Sequence, residues 1–431
     1  MTRTASLQAI NCTACGAGLD LLGGGRVTTH ICPYCATELD ARDDYRALRK
    51  FSDMPRPDTP FSLGQTGKIM GVDWTIIGTL GHREDWGGKS WTWVEHQLYS
   101  PTHGYAWLTV EDGHLTYARR VRGAPQALWI SERWVETAEN VPHVSHRGET
   151  FKYLQTTKSR LTFAEGEFTW APNVGEATTT ISAMSPGAML DFSETGSERE
   201  IYRSTYLPHG ATMKAFGLAP KDLVPRGVHA LQPYKAGENT DFLAFASTVA
   251  AAACLVIAIT FSALPGFQIL APTTLSTASL PQEVSFDITD DSKLAGIRLN
   301  SNVSNAWSYY EMELTDPEDA PVFEAGRTVE YYYGREDGEN WSEGSRTTAL
   351  YFRPPGTGTY TLSIDQPETG TWGTTNIRPA TDVTVSARQG MSSGFWMYVL
   401  FAGFAAIAVL TYGRRHYHRM RRWKHSDWDD D

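Results

Sequence analysis

Cysteine is scarce and unevenly placed in this chain of 431 residues: there are five, four of them between positions 12 and 35 and none after position 254. No disulfide framework can therefore hold the C-terminal half together, and the N-terminal four need another explanation. Basic character is missing too. Among the first 240 residues Lys and Arg do not outnumber Asp and Glu, and no basic stripe appears, so no nucleic-acid partner is expected. Positions 242–292 hold no Lys or Arg at all. The opening MTRTASLQAIN has no apolar signal core, so export of the N-terminal part is not expected. There is no glycine-rich phosphate loop followed by lysine and no G-x-S-x-G elbow, and the chain reads as non-enzymatic.

What is present begins with metal-ligand spacing. Cys12-x2-Cys15, 16 intervening residues, then Cys32-x2-Cys35 is the pattern of a four-thiolate zinc ribbon, residues 1–40. Four protein ligands leave no open position, so the Zn2+ is expected to be structural. His30 beside the third cysteine reads as a hairpin surface residue. After it, residues 41–60 read as a short polar helix in ARDDYRALRKF and a proline-rich linker, MPRPDTP.

Two uncharged runs follow much later. FLAFASTVAAAACLVIAITFSAL, Phe242 to Leu264, would rise roughly 34 Å as a helix, against a bilayer core of about 30 Å. GFWMYVLFAGFAAIAVLTY, Gly394 to Tyr412, carries Trp396 and Tyr412 near its ends, where an interfacial belt sits. We expect transmembrane helices over 241–264 and 394–413. Six Lys/Arg lie between Arg414 and Lys424, so the tail 414–431 is expected in the cytoplasm, near anionic lipid headgroups. Two spans then return residues 1–240 to the cytoplasm and leave 265–393 exterior, in the periplasm of an inner-membrane protein.

Between ribbon and first span, short β-branched and aromatic runs are divided by GHREDWGGK, PTHG and EDG, which predicts an antiparallel β domain over 61–212 and a linker over 213–240. In WTWVEHQLY, alternation puts Trp91, Trp93, Glu95, Gln97 and Tyr99 on one face, opposite His96. GKIMGVDWTIIGTL, WTWVEHQLY, AWL, GEFTW and EREIYRSTY together resemble the bacterial domain-of-unknown-function family 4178, with Trp93, Glu95 and Leu98 as the most specific element. The resemblance implies a zinc ribbon, a β domain and two membrane spans in one chain, and implies no catalytic role.

Other candidates are weaker. His143 and His146 lack a third ligand at a recognisable spacing and read as a loop, and Glu165 with Glu167 is a further candidate pair. Trp93 and Glu95 could form a recognition face for a cationic group, or Glu95 could be a structural carboxylate. The exterior stretch 265–393 predicts an acidic β-sandwich, with 8 Lys/Arg against 18 Asp/Glu over 266–393. Its acidic loops match no calcium pattern, and Trp307, Tyr309, Tyr331, Tyr333 and Trp341 read as core or cross-strand residues before a sugar platform. The fold class is thus mainly β. The expected function is a membrane scaffold or sensor with cytoplasmic protein partners; the alternative is an accessory or catalytic subunit binding a small cationic or envelope-derived ligand at Trp93 and Glu95.

Overall fold

The computed structural model describes residues 8–52, 54–123, 128–336 and 338–428. The end of the acidic tail, 429–431, lies outside them. The chain divides into two units, one of residues 1–236 with 413–431 and one of residues 237–412.

The first unit begins with two small hairpins, β1 (Gln8–Asn11) with β2 (Gly18–Leu21) and β3 (Thr29–Ile31) with β4 (Thr37–Asp40). The expected helix over ARDDYRALRKF is not there. Residues 41–45 form turns in which Asp44 and Tyr45 take positive φ, and β5 (Arg46–Lys50) pairs with β4. This strand is exposed along its length, so it lacks the alternation of apolar residues that marks a half-buried strand.

Ten further strands follow: β6 (Thr66–Ile69), β7 (Val72–Trp86), β8 (Lys89–Ser100), β9 (Gly104–Glu111), β10 (His114–Arg120), β11 (His143–His146), β12 (Glu149–Phe168), β13 (Ala177–Met184), β14 (Met189–Thr195) and β15 (Glu198–Tyr206). Helix α1 (Glu132–Thr137) precedes β11. Tight two-residue turns join several pairs, as at Gly87–Gly88 and Asp112–Gly113, where both residues take the positive φ of a twisted hairpin. Neighbours in hydrogen bonding run β12-β13-β14-β15-β10-β9-β8-β7, and β7 pairs back onto β12, closing an eight-stranded ring. His143 and His146 lie on a strand, β11, rather than in a loop.

One side of the ring carries two separate apolar clusters. Trp74, Ile76, Leu98, Leu108, Leu115 and neighbours are covered by Met213 of α2 (His209–Ala215) and by Phe216. Phe151, Ile181, Leu190, Phe192 and Ile201 are covered by Leu128 and Ile130. Because each cluster has its own cover, this side is the outside of the barrel, and the opposite side faces the lumen. The expected linker 213–240 is accordingly structured at its start, where Met213 and Phe216 are buried, and Leu231 is buried with Leu154 and Met184.

The ribbon does not stand apart from the barrel. Strand β3 pairs with the end of β12, matching Ile31 to Gly166, His30 to Glu167 and Thr29 to Phe168. Gly166 also pairs with Gly78 of β7, so this one residue is flanked on both sides. Its φ is +89°, and a Cβ there would lie 2.3 Å from the Ile77 carbonyl oxygen.

The second unit opens with α3 (Thr240–Ala263), close to the span expected over 241–264. Strands β16 (Phe267–Ser276), β17 (Gln282–Ile288), β18 (Leu294–Ser301), β19 (Ala306–Thr315), β20 (Pro321–Glu336), β21 (Glu339–Ser345), β22 (Thr347–Phe352), β23 (Gly358–Thr371) and β24 (Asp382–Met391) follow. They form two sheets, β16-β24-β18-β22 and β17-β23-β19-β20-β21, around one core that includes Ile297, Leu299, Tyr310, Leu314, Tyr360 and Val385. This is the sandwich expected from the sequence. Several of its aromatics cover glycines on the neighbouring strand: Trp307 opposite Gly370, Trp341 opposite Gly334 and Tyr351 opposite Gly296.

Helix α4 (Phe395–Arg422) continues well beyond the expected end at 413, because nothing in GRRHYHRMRR interrupts it and Arg421 bonds the Tyr417 hydroxyl one turn back. Both α3 and α4 are long and apolar enough to cross a membrane. Their large side chains point outward, with Phe242 72% and Val409 69% exposed, whereas the buried positions of α3 are small: Ala244, Ser247, Ala251 and Ala258. At Gly394, just before α4, a Cβ would meet the Ala258 carbonyl at 2.3 Å, so the two segments approach closely there.

Gly166→Ala tests the ribbon–barrel junction. The added Cβ meets backbone, which cannot move aside cheaply, and the loss of stability should exceed about 2 kcal/mol. Thermal unfolding followed by far-ultraviolet circular dichroism should show it, whereas Gly25→Ala, which meets nothing, should leave the transition in place.

Candidate functional site

The four ribbon cysteines sit on two matching knuckles. In the first, the Gly16 N–H bonds the Cys12 carbonyl and the Cys12 N–H bonds the Ala17 carbonyl, both at 2.8 Å. In the second, Ala36 bonds Cys32 and Cys32 bonds Thr37, both at 2.9 Å, with Ala36 at positive φ. The knuckles bring all four sulfurs within 4.8 Å of one another. Cys12 Sγ lies 3.8 Å from Cys35 Sγ, and Cys15 Sγ lies 3.8 Å from Cys32 Sγ. A tetrahedral ion with metal–sulfur bonds of about 2.3 Å sets its S···S edges at about 3.8 Å, so the cluster fits a metal ion and is too open for disulfides. Without a cation, burial pushes the Cys32 thiol up to about 12. A bound dication would reverse that balance by favouring the thiolate.

His30 is not a surface residue. It is buried, and its Nδ1 lies 3.7 Å from Glu167 Oε1, while Glu167 Oε2 accepts the Leu22 N–H at 3.0 Å and the Gly23 N–H. Glu165 is held by both guanidinium nitrogens of Arg56 at 2.8 and 2.9 Å. These two carboxylates tie the ribbon and the 54–60 segment to β12, which accounts for their burial.

The Trp93 and Glu95 pair projects into the barrel lumen. His82, opposite Trp93 in register, stacks on its ring with centroids 5.3 Å apart and planes 7° from parallel. The same His82 places Nε2 3.3 Å from Glu95 Oε2. Glu95 keeps 30% of its side chain exposed. Register carries the lumen-facing side from Glu95 to Thr109 and Thr116, and from Tyr202 to Asp191, Ser182 and Gln155. Asp191 accepts hydroxyls from Ser182 at 2.8 Å and Ser204 at 2.6 Å. Burial pushes its carboxyl up to about 6, those hydroxyls pull it back, and the charges of Glu95 and Glu111 add to the rise.

On the outer side, His96 is fully buried, with Nε2 3.0 Å from the Thr59 hydroxyl and Nδ1 3.1 Å from the Thr79 hydroxyl. Burial, helped by Arg56, lowers its pKa to about 3. Glu95 and His96 thus point to opposite faces, as strand geometry requires.

Sequence reasoning missed the end of the barrel where the chain's C-terminus docks. Asp427 accepts the Thr156 N–H at 2.7 Å and donates its own N–H to the Leu154 carbonyl at 2.9 Å. Arg422 donates to the Ala230 and Pro186 carbonyls, and Trp423 packs against the Leu154, Met184 and Leu231 cluster. His114 Nε2 donates to the Arg226 carbonyl at 3.0 Å, which leaves Nδ1 to accept the Tyr206 hydroxyl at 2.9 Å. His229 Nε2 stands 3.4 Å from Glu111 Oε2. No local motif marks these residues, which come from widely separated parts of the chain.

Two outcomes follow. The purified protein should carry one zinc ion per chain by elemental analysis, and Cys32→Ser should lose it together with stability, since closed thiolate sites contribute on the order of 10 kcal/mol. His96 binds a proton below its ordinary 6.5 only when unfolded, so the stability it contributes is present above that pH and is lost as pH falls toward 3, at about 1.4 kcal/mol per unit. Asp191 titrates with the opposite sign but equally in both proteins, so denaturation of wild type and His96→Gln from pH 7 to pH 4 should isolate the difference.

No curated protein matches the chain. Solved structures that align with it include that of infectious bursal disease virus Gt strain, at 12% identity over 86% of this chain and 70% of that one with a TM-score of 0.16. The exo-beta-1,3-galactanase of Phanerochaete chrysosporium aligns at 9% identity over 88% and 99%, with a TM-score of 0.13. Likenesses this slight carry no argument. The barrel is different: residues 62–209, from the start of its outer core to the start of α2, match the model of the family described as Domain of unknown function (DUF4178).

Proposed function

We propose that this chain is a non-enzymatic integral inner-membrane scaffold or sensor: a zinc-stabilised barrel in the cytoplasm, two spans, and an acidic sandwich on the periplasmic side. The observation that carries the reading is the docking of 422–428 onto the barrel. If α3 and α4 each cross the bilayer, the tail must return to the side where residues 1–236 lie, and a docked tail meets that requirement. The excess of arginine at the end of α4 agrees with a cytoplasmic position. The sandwich would sample the other compartment, and protein partners would meet the ribbon and barrel.

Catalysis is not part of this reading. Among the described residues no third metal-ligating side chain joins His143 and His146 on their strand, and Glu165 and Glu167 are engaged by Arg56 and by the ribbon backbone.

Labelling intact cells with a membrane-impermeant maleimide tests the topology. Ser292→Cys in the sandwich should react, and Ser197→Cys in the β14–β15 turn should react only after lysis. The reverse pattern would overturn it. Mild-detergent capture of the full chain should recover companions that Cys12→Ser loses, and an empty capture would remove the scaffold reading.

A further inference from the structure

The lumen of the closed ring gathers carboxylates from facing strands, among the hydroxyls of Thr109, Thr116 and Ser182 and with His82 beside Glu95. Strands β8 and β14 stand four places apart in a ring of eight, which is diametrically opposite. Glu95 on the first and Asp191 on the second therefore face one another across the lumen, with Glu111 on the strand beside Glu95. Burial is the main cause of the raised Asp191 carboxyl, and the charges of Glu95 and Glu111 add to the rise. Both carboxylates keep some exposure although strands surround them, so water reaches them.

A second feature is independent of charge. Gln97 shares the lumen-facing side of β8 with Glu95, is only 2% exposed, and its Oε1 has no hydrogen-bond partner among the described residues. A buried carbonyl oxygen left without a donor is costly, so this position calls for an N–H or O–H from something the chain does not supply. Trp107, directly opposite Gln97 in register, and Trp93, two residues before Glu95, provide aromatic surfaces beside these acceptors.

We propose that the barrel lumen binds a small organic ammonium ion, its charge held between Glu95 and Asp191, one N–H directed to Gln97 Oε1 and its carbon skeleton against Trp93 and Trp107. A metal ion fits less well, because among the described residues only the four cysteines bring their ligand atoms close enough to share one. An anion would meet three carboxylates. The inference deepens the sensor reading by giving it a ligand, yet it rests on barrel residues alone and is independent of membrane topology.

The test is calorimetric titration, with tryptophan fluorescence as a second readout, of the full-length protein in detergent at fixed ionic strength. The probes are n-butylammonium, 1,4-diammoniobutane and tetramethylammonium, which has no N–H. Saturable binding is expected for one or both primary ammonium ions and weaker binding for tetramethylammonium. Glu95→Gln and Asp191→Asn should each weaken binding about tenfold or more, the loss expected for one charged acceptor, while Glu343→Gln in the sandwich should change nothing. Absence of saturable binding, equal binding of tetramethylammonium, or indifference to both lumen variants would overturn the proposal. Near-ultraviolet circular dichroism checks that the variants fold. Should either fail, the other variant and the wild-type comparison of the three probes still decide.

Discussion

The pairing of β12 with β7 is the constraint on which the first unit depends. Strand β12 runs for 20 residues, and it hydrogen-bonds β11 and β13 along its first half and β7 and β3 along its second. Without the second half the sheet would remain open, and its polar side would be an ordinary solvent-facing surface. With it, that side becomes a shared interior, and carboxylates on strands far apart in sequence come to influence one another. Register shifts on both β12 and β7 let the long strands bend enough to meet.

The same closure couples the four-cysteine cluster to the barrel. A ribbon of this size buries too little apolar surface to fold unaided, and its sulfur cluster compensates. Yet β3 is also a neighbour of β12, and Glu167 gathers the N–H groups of the loop leading into it. Ribbon and barrel thus share backbone hydrogen bonds at Gly166, so order at the sulfur cluster and order in the ring support each other.

Much of this was legible in the residues themselves. Cysteine spacing reported the four-sulfur cluster, two uncharged runs reported the long helices, and alternation with paired turn residues reported the strands. Alternation also put Trp93, Glu95 and Gln97 on one face. What stayed hidden was non-local or unmarked. Strand β5 is an edge strand with no buried side, so its sequence shows no period. Asp191 lies 96 residues from Glu95, and nothing local to either announces that they oppose each other. His114, His229 and Asp427 meet through chain reversals that depend on the whole barrel being formed.

The sandwich holds a different kind of information. Where Trp307 lies over Gly370, Trp341 over Gly334 and Tyr351 over Gly296, the ring occupies the space that a side chain on the facing strand would need. Each such pair behaves as a single inherited character. A larger residue at the glycine cannot be accepted while the ring remains, and loss of the ring leaves a bare strip of backbone that then favours a bulkier partner. Among descendants of a common ancestor the two positions should therefore change together, and a sheet that has diverged beyond recognition elsewhere can still be aligned by the places where an aromatic and a glycine face one another.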